Sequence, residues 1–295
     1  MSRMLSVVAV QAPPREIGEP FDAFEAEVRG IASRESSNPR IVVYPELHLF
    51  GSELGSPETR NAHLLASARP LDGALDDRLR ALAAELDIWL LPGSVCELGP
   101  NGELFNTAVV YSPAGERVAS YRKMFPWRPY EPYEPGSDFV VFDIPAIGRL
   151  GLSICYDAWF PELTRHLAWM GAEVVLNIVK TTTPDREQEL VLARANSIVN
   201  QVVTVSVNCA GPVGMGRSIV VDAEGRVIEE WANDAPATLS HVIDFDDVSR
   251  VRALGTAGLN RVWEQFRPTD HPIELPLYRG RLEPDRWHPR SADPE

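Results

Sequence analysis

Leu150–Glu162 reads LGLSICYDAWFPE. An apolar, β-prone run ends at a single cysteine, Cys155, and an aspartate, two aromatics, a proline and an acidic residue follow at once. This is the pattern of a buried strand that turns directly into a helix, with a nucleophile on the turn. Pro161 suits a first helical turn, and Glu162 suits the positive end of the helix dipole. A thiol placed there needs a base and a cation to become an acyl-transfer group. Two upstream segments offer them: Glu46 in IVVYPELHLFG and Lys123 in YRKMFPWRPYEPYEPG.

Working outward, strand-length apolar runs recur at Leu5–Gln11, Ile41–Tyr44, Ile88–Leu91, Thr107–Tyr111, Phe139–Phe142, Leu150–Ile154, Val174–Ile178, Val202–Val207, Ser218–Val221 and Val242–Asp244. Most are continuous rather than alternating, as expected for strands covered on both faces. Helical patterns fall between them at Phe21–Ser33, Ala74–Leu86, Pro161–Met170 and Glu187–Val199. Helices spaced among many strands define an α/β layered architecture. The turns at Asn101–Gly102 and Ala114–Gly115 around LFNTAVVYS predict local antiparallel pairing. One domain over residues 1–267 is expected. From Pro268 the chain becomes rich in proline and charge, which predicts a tail over 268–295 packing on the surface or on a partner subunit.

The 295 residues carry a formal net charge of −14. An acidic surface repels phosphate backbones and argues against a nucleic-acid partner. Cys96, Cys155 and Cys209 have neither metal-site spacing nor the look of a disulfide framework, which favours a reducing compartment. The N-terminal apolar run is short and meets Gln11 and two prolines, so it is expected to be a first strand rather than a signal peptide. No stretch approaches the roughly 18 apolar residues of a membrane span. A cytoplasmic protein without metal or organic cofactor is expected.

Taken singly, each site residue has an ordinary reading. Cys96 and Cys209 lie in or beside apolar runs and read as buried packing groups. Glu46 follows Pro45, which ends strand pairing and leaves a carboxylate at a strand end, where ligands collect in α/β sheets; alone it also reads as a loop acid. His48 reads as a packing histidine or a rival base. Lys123 stands among Phe125, Trp127, Tyr130 and Tyr133. Glu131 and Glu134 share the same proline-rich loop and alone read as solvated acids.

Together, PEL around Glu46, YRKMFPW around Lys123 and LSICYDAWFPE around Cys155 resemble the nitrilase superfamily of carbon–nitrogen hydrolases. The resemblance begins at AVQAPP and continues through Asn106, Arg194–Ala195, Asn208 and GRSIVVDAEG. It implies a four-layer α-β-β-α sandwich and a Glu-Lys-Cys set: Glu46 as general base, Lys123 on the oxyanion and Cys155 as nucleophile. Glu131 matches a second glutamate of the amidase branch, eight residues after the lysine, with Glu134 as its rival. Members commonly pair as dimers through the face bearing the helix after the nucleophile, so a homodimer or higher homo-oligomer is expected.

Cys155-Tyr156-Asp157 looks like the amidase side of the superfamily. Carboxylate-bearing substrates in the family often meet an arginine just after the cysteine, where this chain has Ala158-Trp159-Phe160. The expected substrate is therefore a neutral aliphatic or arylalkyl amide, with Tyr156, Trp159, Trp127, Tyr130, Lys180 and Thr181 lining the pocket. Arg128 and Arg165 remain possible clamps from elsewhere. The alternatives are a nitrilase, an N-carbamoyl-amino-acid hydrolase, and a non-catalytic scaffold that keeps the fold. A nucleophilic Cys155 is expected to alkylate selectively at neutral pH.

Overall fold

The computed structural model describes residues 2–34, 36–52, 56–275 and 280. In chain order its regular elements are β1 (Met4–Gln11), α1 (Phe21–Ala32), β2 (Arg40–Val43), α2 (Pro57–Ser67), α3 (Ala74–Glu85), β3 (Trp89–Leu91), β4 (Ser94–Leu98), β5 (Leu104–Tyr111), β6 (Arg117–Arg122) and β7 (Val141–Ile144). They continue with β8 (Gly148–Ile154), α4 (Pro161–Trp169), β9 (Val174–Val179), α5 (Arg186–Asn200), β10 (Val203–Asn208), β11 (Ile219–Val221), β12 (Val227–Glu230), β13 (Ala237–Asp244) and α6 (Phe245–Leu254).

The strands form two sheets. One runs β13-β1-β2-β3-β5-β4, with β6 also paired to β5; the other runs β12-β11-β10-β9-β8-β7. Each has a parallel centre of three strands, β1-β2-β3 and β8-β9-β10, with antiparallel strands outside. The continuous apolar runs belong to these centres: β2, β3, β9 and β10 are buried along their whole length. Only strands covered on both faces tolerate that composition.

Helices cover the outer face of each sheet. Phe24, Val28 and Ile31 of α1 and Leu79, Leu82 and Ala83 of α3 share one core with Val8, Val10, Val42, Tyr44, Leu90 and Tyr111. On the second sheet, Leu190 and Ala193 of α5 pack with Ile219 and Val221. Between the sheets, Trp89 stacks on Phe142 with centroids 6.2 Å apart, and Gln11 Oε1 accepts from Ser218 N and Oγ at 2.9 Å each. The result is the α-β-β-α sandwich.

Several elements went beyond the sequence reading. Helix α2 carries ordinary start signals, Ser56 accepting from Thr59 N and a proline in its first turn. Helix α6 begins under an Asp244 cap and ends at Gly255, whose φ is 67°. Strands β4 and β6 flank β5 as the antiparallel partners expected from the Asn101–Gly102 and Ala114–Gly115 turns, whereas β12 is exposed over its first half and carries no continuous apolar run.

The chain divides into two units, 1–262 and 263–295. In the second, residues 265–275 form turns and irregular backbone. Most of the tail expected over 268–295 lies outside the described residues.

Candidate active site

Strand β8 delivers the nucleophile candidate. The chain leaves Ile154 into a tight turn over Cys155–Trp159, and Cys155 itself has a left-handed φ of 49°. A non-glycine residue in that region is uncommon and needs support from its surroundings. Asp157 supplies it. This fully buried carboxylate accepts from Ile154 N at 2.9 Å, Phe125 N at 2.9 Å and the Tyr121 hydroxyl at 2.7 Å. It therefore ties the nucleophile turn to the segment that follows β6. Burial pushes the Asp157 carboxyl up to about 6, against the opposing pull of Lys123 and its three donors.

The same segment carries Lys123, which is wholly buried. Its Nζ donates to Glu46 Oε1 at 2.9 Å and to both oxygens of Glu131 at 2.9 Å. Glu46 is pinned further: Asn106 Nδ2 donates to Oε1 at 2.7 Å and Lys180 N donates to Oε2 at 3.0 Å. Glu131 also accepts from Trp127 N at 2.8 Å. Two glycines permit these approaches. A Cβ on Gly93, at φ +97°, would sit 2.1 Å from Pro45 O, beneath the Glu46 loop. A Cβ on Gly136 would sit 2.3 Å from Arg122 O, where Gly136 N donates to Lys123 O.

The electrostatics follow from burial and these partners. Desolvation disfavours a buried ammonium, but Glu131 and Glu46 outweigh it and hold the Lys123 pKa well above its ordinary value. Burial and the Glu46 charge push the half-buried Cys155 thiol up, with Lys123 opposing them. Burial and the Glu46 charge thus favour the protonated form of the thiol. His48 packs on Tyr44 and Phe24, and burial with the nearby Arg15 lowers its pKa to about 3. It is a neutral packing group.

The remaining expected residues divide. Thr181 is buried, with its Oγ 3.9 Å from Cys155 Sγ, and Lys180 contributes its backbone N–H to Glu46. Tyr156 and Trp159 form a ring pair at 5.9 Å on the nucleophile turn. Trp127 packs on Tyr130 at 4.4 Å, and Tyr130 is 64% exposed. Glu134 pairs with Arg128 at 3.5 Å, both mostly exposed, so Glu131 is the glutamate on Lys123. Arg165 Nη2 donates to Val199 O. Sequence reasoning assigned no role to Asp157, Tyr121 or Glu189. Asp157 stands two residues after the cysteine and is legible as a candidate; Glu189, in the first turn of α5, reads as an ordinary helix-start acid. Among the described residues no cluster of three or more His, Cys, Asp or Glu suits a metal ion.

Two carboxylates sharing one buried ammonium beside a thiol on a strand-end turn define a class, and residues 7–253 match the carbon-nitrogen hydrolase family. The chain belongs to that family. A formamidase of Pseudomonas syringae pv. tomato is 34% identical over 213 residues, which cover 70% of this chain and 60% of that protein. A formamidase of Bradyrhizobium diazoefficiens is 33% identical over 68% of this chain and 58% of its own length. The chain thus spans about 60% of the length of these relatives. Among solved structures, Saccharomyces cerevisiae Nit3, of branch 10 of the nitrilase superfamily, superposes with a TM-score of 0.75 at 22% identity, covering 86% of this chain and 94% of that one. A mutant of the Nesterenkonia sp. AN1 amidase, carrying the acetamide moiety of fluoroacetamide on its active-site cysteine, superposes with a TM-score of 0.67 at 25% identity, covering 84% and 93%.

Proposed function

We propose that the chain is an amidase that hydrolyses a small neutral amide to a carboxylate and ammonia through a thioester on Cys155. The observation that carries this reading is the buried Lys123 ammonium held by Glu46 and Glu131 at 2.9 Å each. An amide carbonyl is a weak electrophile, and the neutral thiol must lose its proton to attack it. Glu46, fixed by Asn106 and Lys180 N, takes that proton as the S–C bond forms. Negative charge collects on the carbonyl oxygen, where Lys123 and the Tyr156 N–H meet it; such an arrangement contributes about 3–4 kcal/mol per donor. Glu46 returns the proton to the nitrogen as the C–N bond breaks and ammonia leaves. It then deprotonates a water that attacks the thioester, and it passes that proton to the Cys155 sulfur as the C–S bond breaks, restoring the thiol and releasing the carboxylate.

A neutral substrate is favoured because Ala158-Trp159-Phe160 supplies no cation, while Arg128 pairs with Glu134 and Arg165 is bonded to Val199 O. The relatives named formamidase favour the small end of the amide series; a larger arylalkyl group would have to lie along Trp127 and exposed Tyr130. A homodimer is part of this reading, through the face of α4 and α5 that carries exposed Trp169, Ile198 and Val199. Sizing the protein in solution tests that part alone.

The experiment is ammonia release from formamide, propionamide, phenylacetamide, glutaramate, N-carbamoyl-alanine and phenylacetonitrile, with Cys155→Ala as the blank. Cysteine-dependent turnover of the neutral amides is expected. Turnover confined to glutaramate, the carbamoyl compound or the nitrile overturns the substrate class, and equal ammonia from Cys155→Ala overturns the mechanism.

A further inference from the structure

Beneath the nucleophile lies a second buried polar chain that the amide mechanism above does not use. Thr181 Oγ stands 3.9 Å from Cys155 Sγ and donates to Glu189 Oε1 at 2.7 Å and Oε2 at 2.8 Å. Glu189 is only 6% exposed. Its Oε2 also accepts from Arg186 Nη1 at 3.0 Å, and the buried Arg186 is anchored in turn on Ser206 Oγ and Arg217 O. The Thr181 backbone is clamped as well: its N donates to Asn208 Oδ1 at 2.9 Å, and its carbonyl accepts from Met215 N at 2.9 Å.

A hydroxyl has one proton to donate and two lone pairs to offer. The Thr181 proton is committed to Glu189, whose Oε2 also pairs with the Arg186 guanidinium at 3.0 Å. The face that Thr181 turns to Cys155 is therefore an acceptor. An acceptor oxygen stabilises S–H and repels S⁻, and the Glu189 charge behind it acts in the same direction.

We propose that Thr181 and Glu189 are positioning residues that hold the resting Cys155 as a protonated thiol, so that it becomes a nucleophile only when Glu46 removes its proton against a bound substrate. The proposal rests on the reading of Cys155 as nucleophile. Among the described residues, the other charges acting on the sulfur are Glu46 from the loop after β2 and Lys123 and Glu131 from the segment after β6; Asp157, on the same turn, is occupied by Tyr121 and two backbone N–H groups. Of the three carboxylates facing Cys155, only Glu189 is tied to neither Lys123 nor the proton transfer, so its removal changes the thiol with the catalytic set intact.

The test is the rate of iodoacetamide alkylation against pH, followed at the Cys155 peptide by mass spectrometry so that Cys96 and Cys209 do not contribute. In Glu189→Gln the midpoint should fall by about one pH unit or more, and neutral-pH alkylation should rise several-fold, because an anion is lost while Arg186 stays charged. Thr181→Val should shift the midpoint the same way, and Thr181→Ser, which keeps the hydroxyl, should restore the wild-type profile. A merely structural role would lower stability in these variants without moving the midpoint. Unchanged midpoints in Glu189→Gln and Thr181→Val overturn the proposal. If Glu189→Gln does not fold, the contrast between valine and serine at position 181 decides it. The alkylation profile needs no turnover, so failure here is distinct from failure of Cys155→Ala to abolish ammonia release.

Discussion

Replacing Glu131 with glutamine removes one of the two charges on Lys123 while keeping the side chain's size. At 2.9 Å and an effective dielectric of about 20, each carboxylate attracts the ammonium by roughly 6 kcal/mol before solvation is counted. The Glu131 side chain is 19% exposed, so water already screens part of this, and glutamine retains one acceptor for Nζ. Breaking a buried pair from one side costs about 3–5 kcal/mol, and removing one oxyanion donor costs about 3–4 kcal/mol. Lys123 keeps Glu46 and stays charged, but it is drawn toward that base and away from the carbonyl oxygen. We expect kcat/KM for the best neutral amide to fall by about 10²–10³-fold, equivalent to roughly 2.7–4 kcal/mol. Ammonia release gives the rate, and iodoacetamide labelling of Cys155 should persist, separating lost acylation from lost folding. A kcat/KM within about threefold of wild type would refute the reasoning. So would a larger loss in Glu134→Gln, whose native carboxylate pairs with exposed Arg128.

Asp157 titrates at about 6 in the fold, above the roughly 4 of an unfolded aspartate. The folded protein holds an extra proton in that window, so this group's contribution is most favourable below pH 4 and is lost as pH rises through 6, by about 3 kcal/mol. Asp157→Asn should remove that slope from urea midpoints compared at pH 4.5 and 7.5; identical slopes in both proteins would count against it. His48 stays neutral down to about 3, so it should contribute no limb to the pH–rate profile between 5 and 8. A limb present in wild type and missing in His48→Gln would show the opposite. Gly93→Ala forces a Cβ to within 2.1 Å of Pro45 O at a left-handed φ, and should cost about 2–4 kcal/mol in thermal or urea unfolding. Full stability in that variant would mean the Glu46 loop yields easily.

The sequence by itself determined the layered α/β class and the three segments that meet at the site. Continuous apolar runs can be buried only in the middle of a covered sheet, and β2, β3, β9 and β10 are those strands. The turn after Ile154 was legible because an apolar run broke at cysteine, aspartate and proline within a few residues. Edge strand β12 was not legible, because a strand with exposed residues needs no apolar pattern. Only tertiary structure decided between Glu131 and Glu134: both sit in one proline-rich loop, and the fold turns one onto Lys123 and the other outward to Arg128. It alone brought Thr181 and Glu189 beneath Cys155. Glu189 lies in the first turn of α5, where an acid reads as a solvated partner of the helix dipole, and nothing local records that α5 faces β10 and carries this carboxylate inward with Arg186. Local pattern reports how a residue's own segment meets water and core. Which charge meets which across seventy or more residues depends on strand order within a sheet and on how two sheets stack: Lys123 meets Glu46 by the first route, since β2 and β6 share a sheet, and Lys180 N after β9 meets Glu46 by the second.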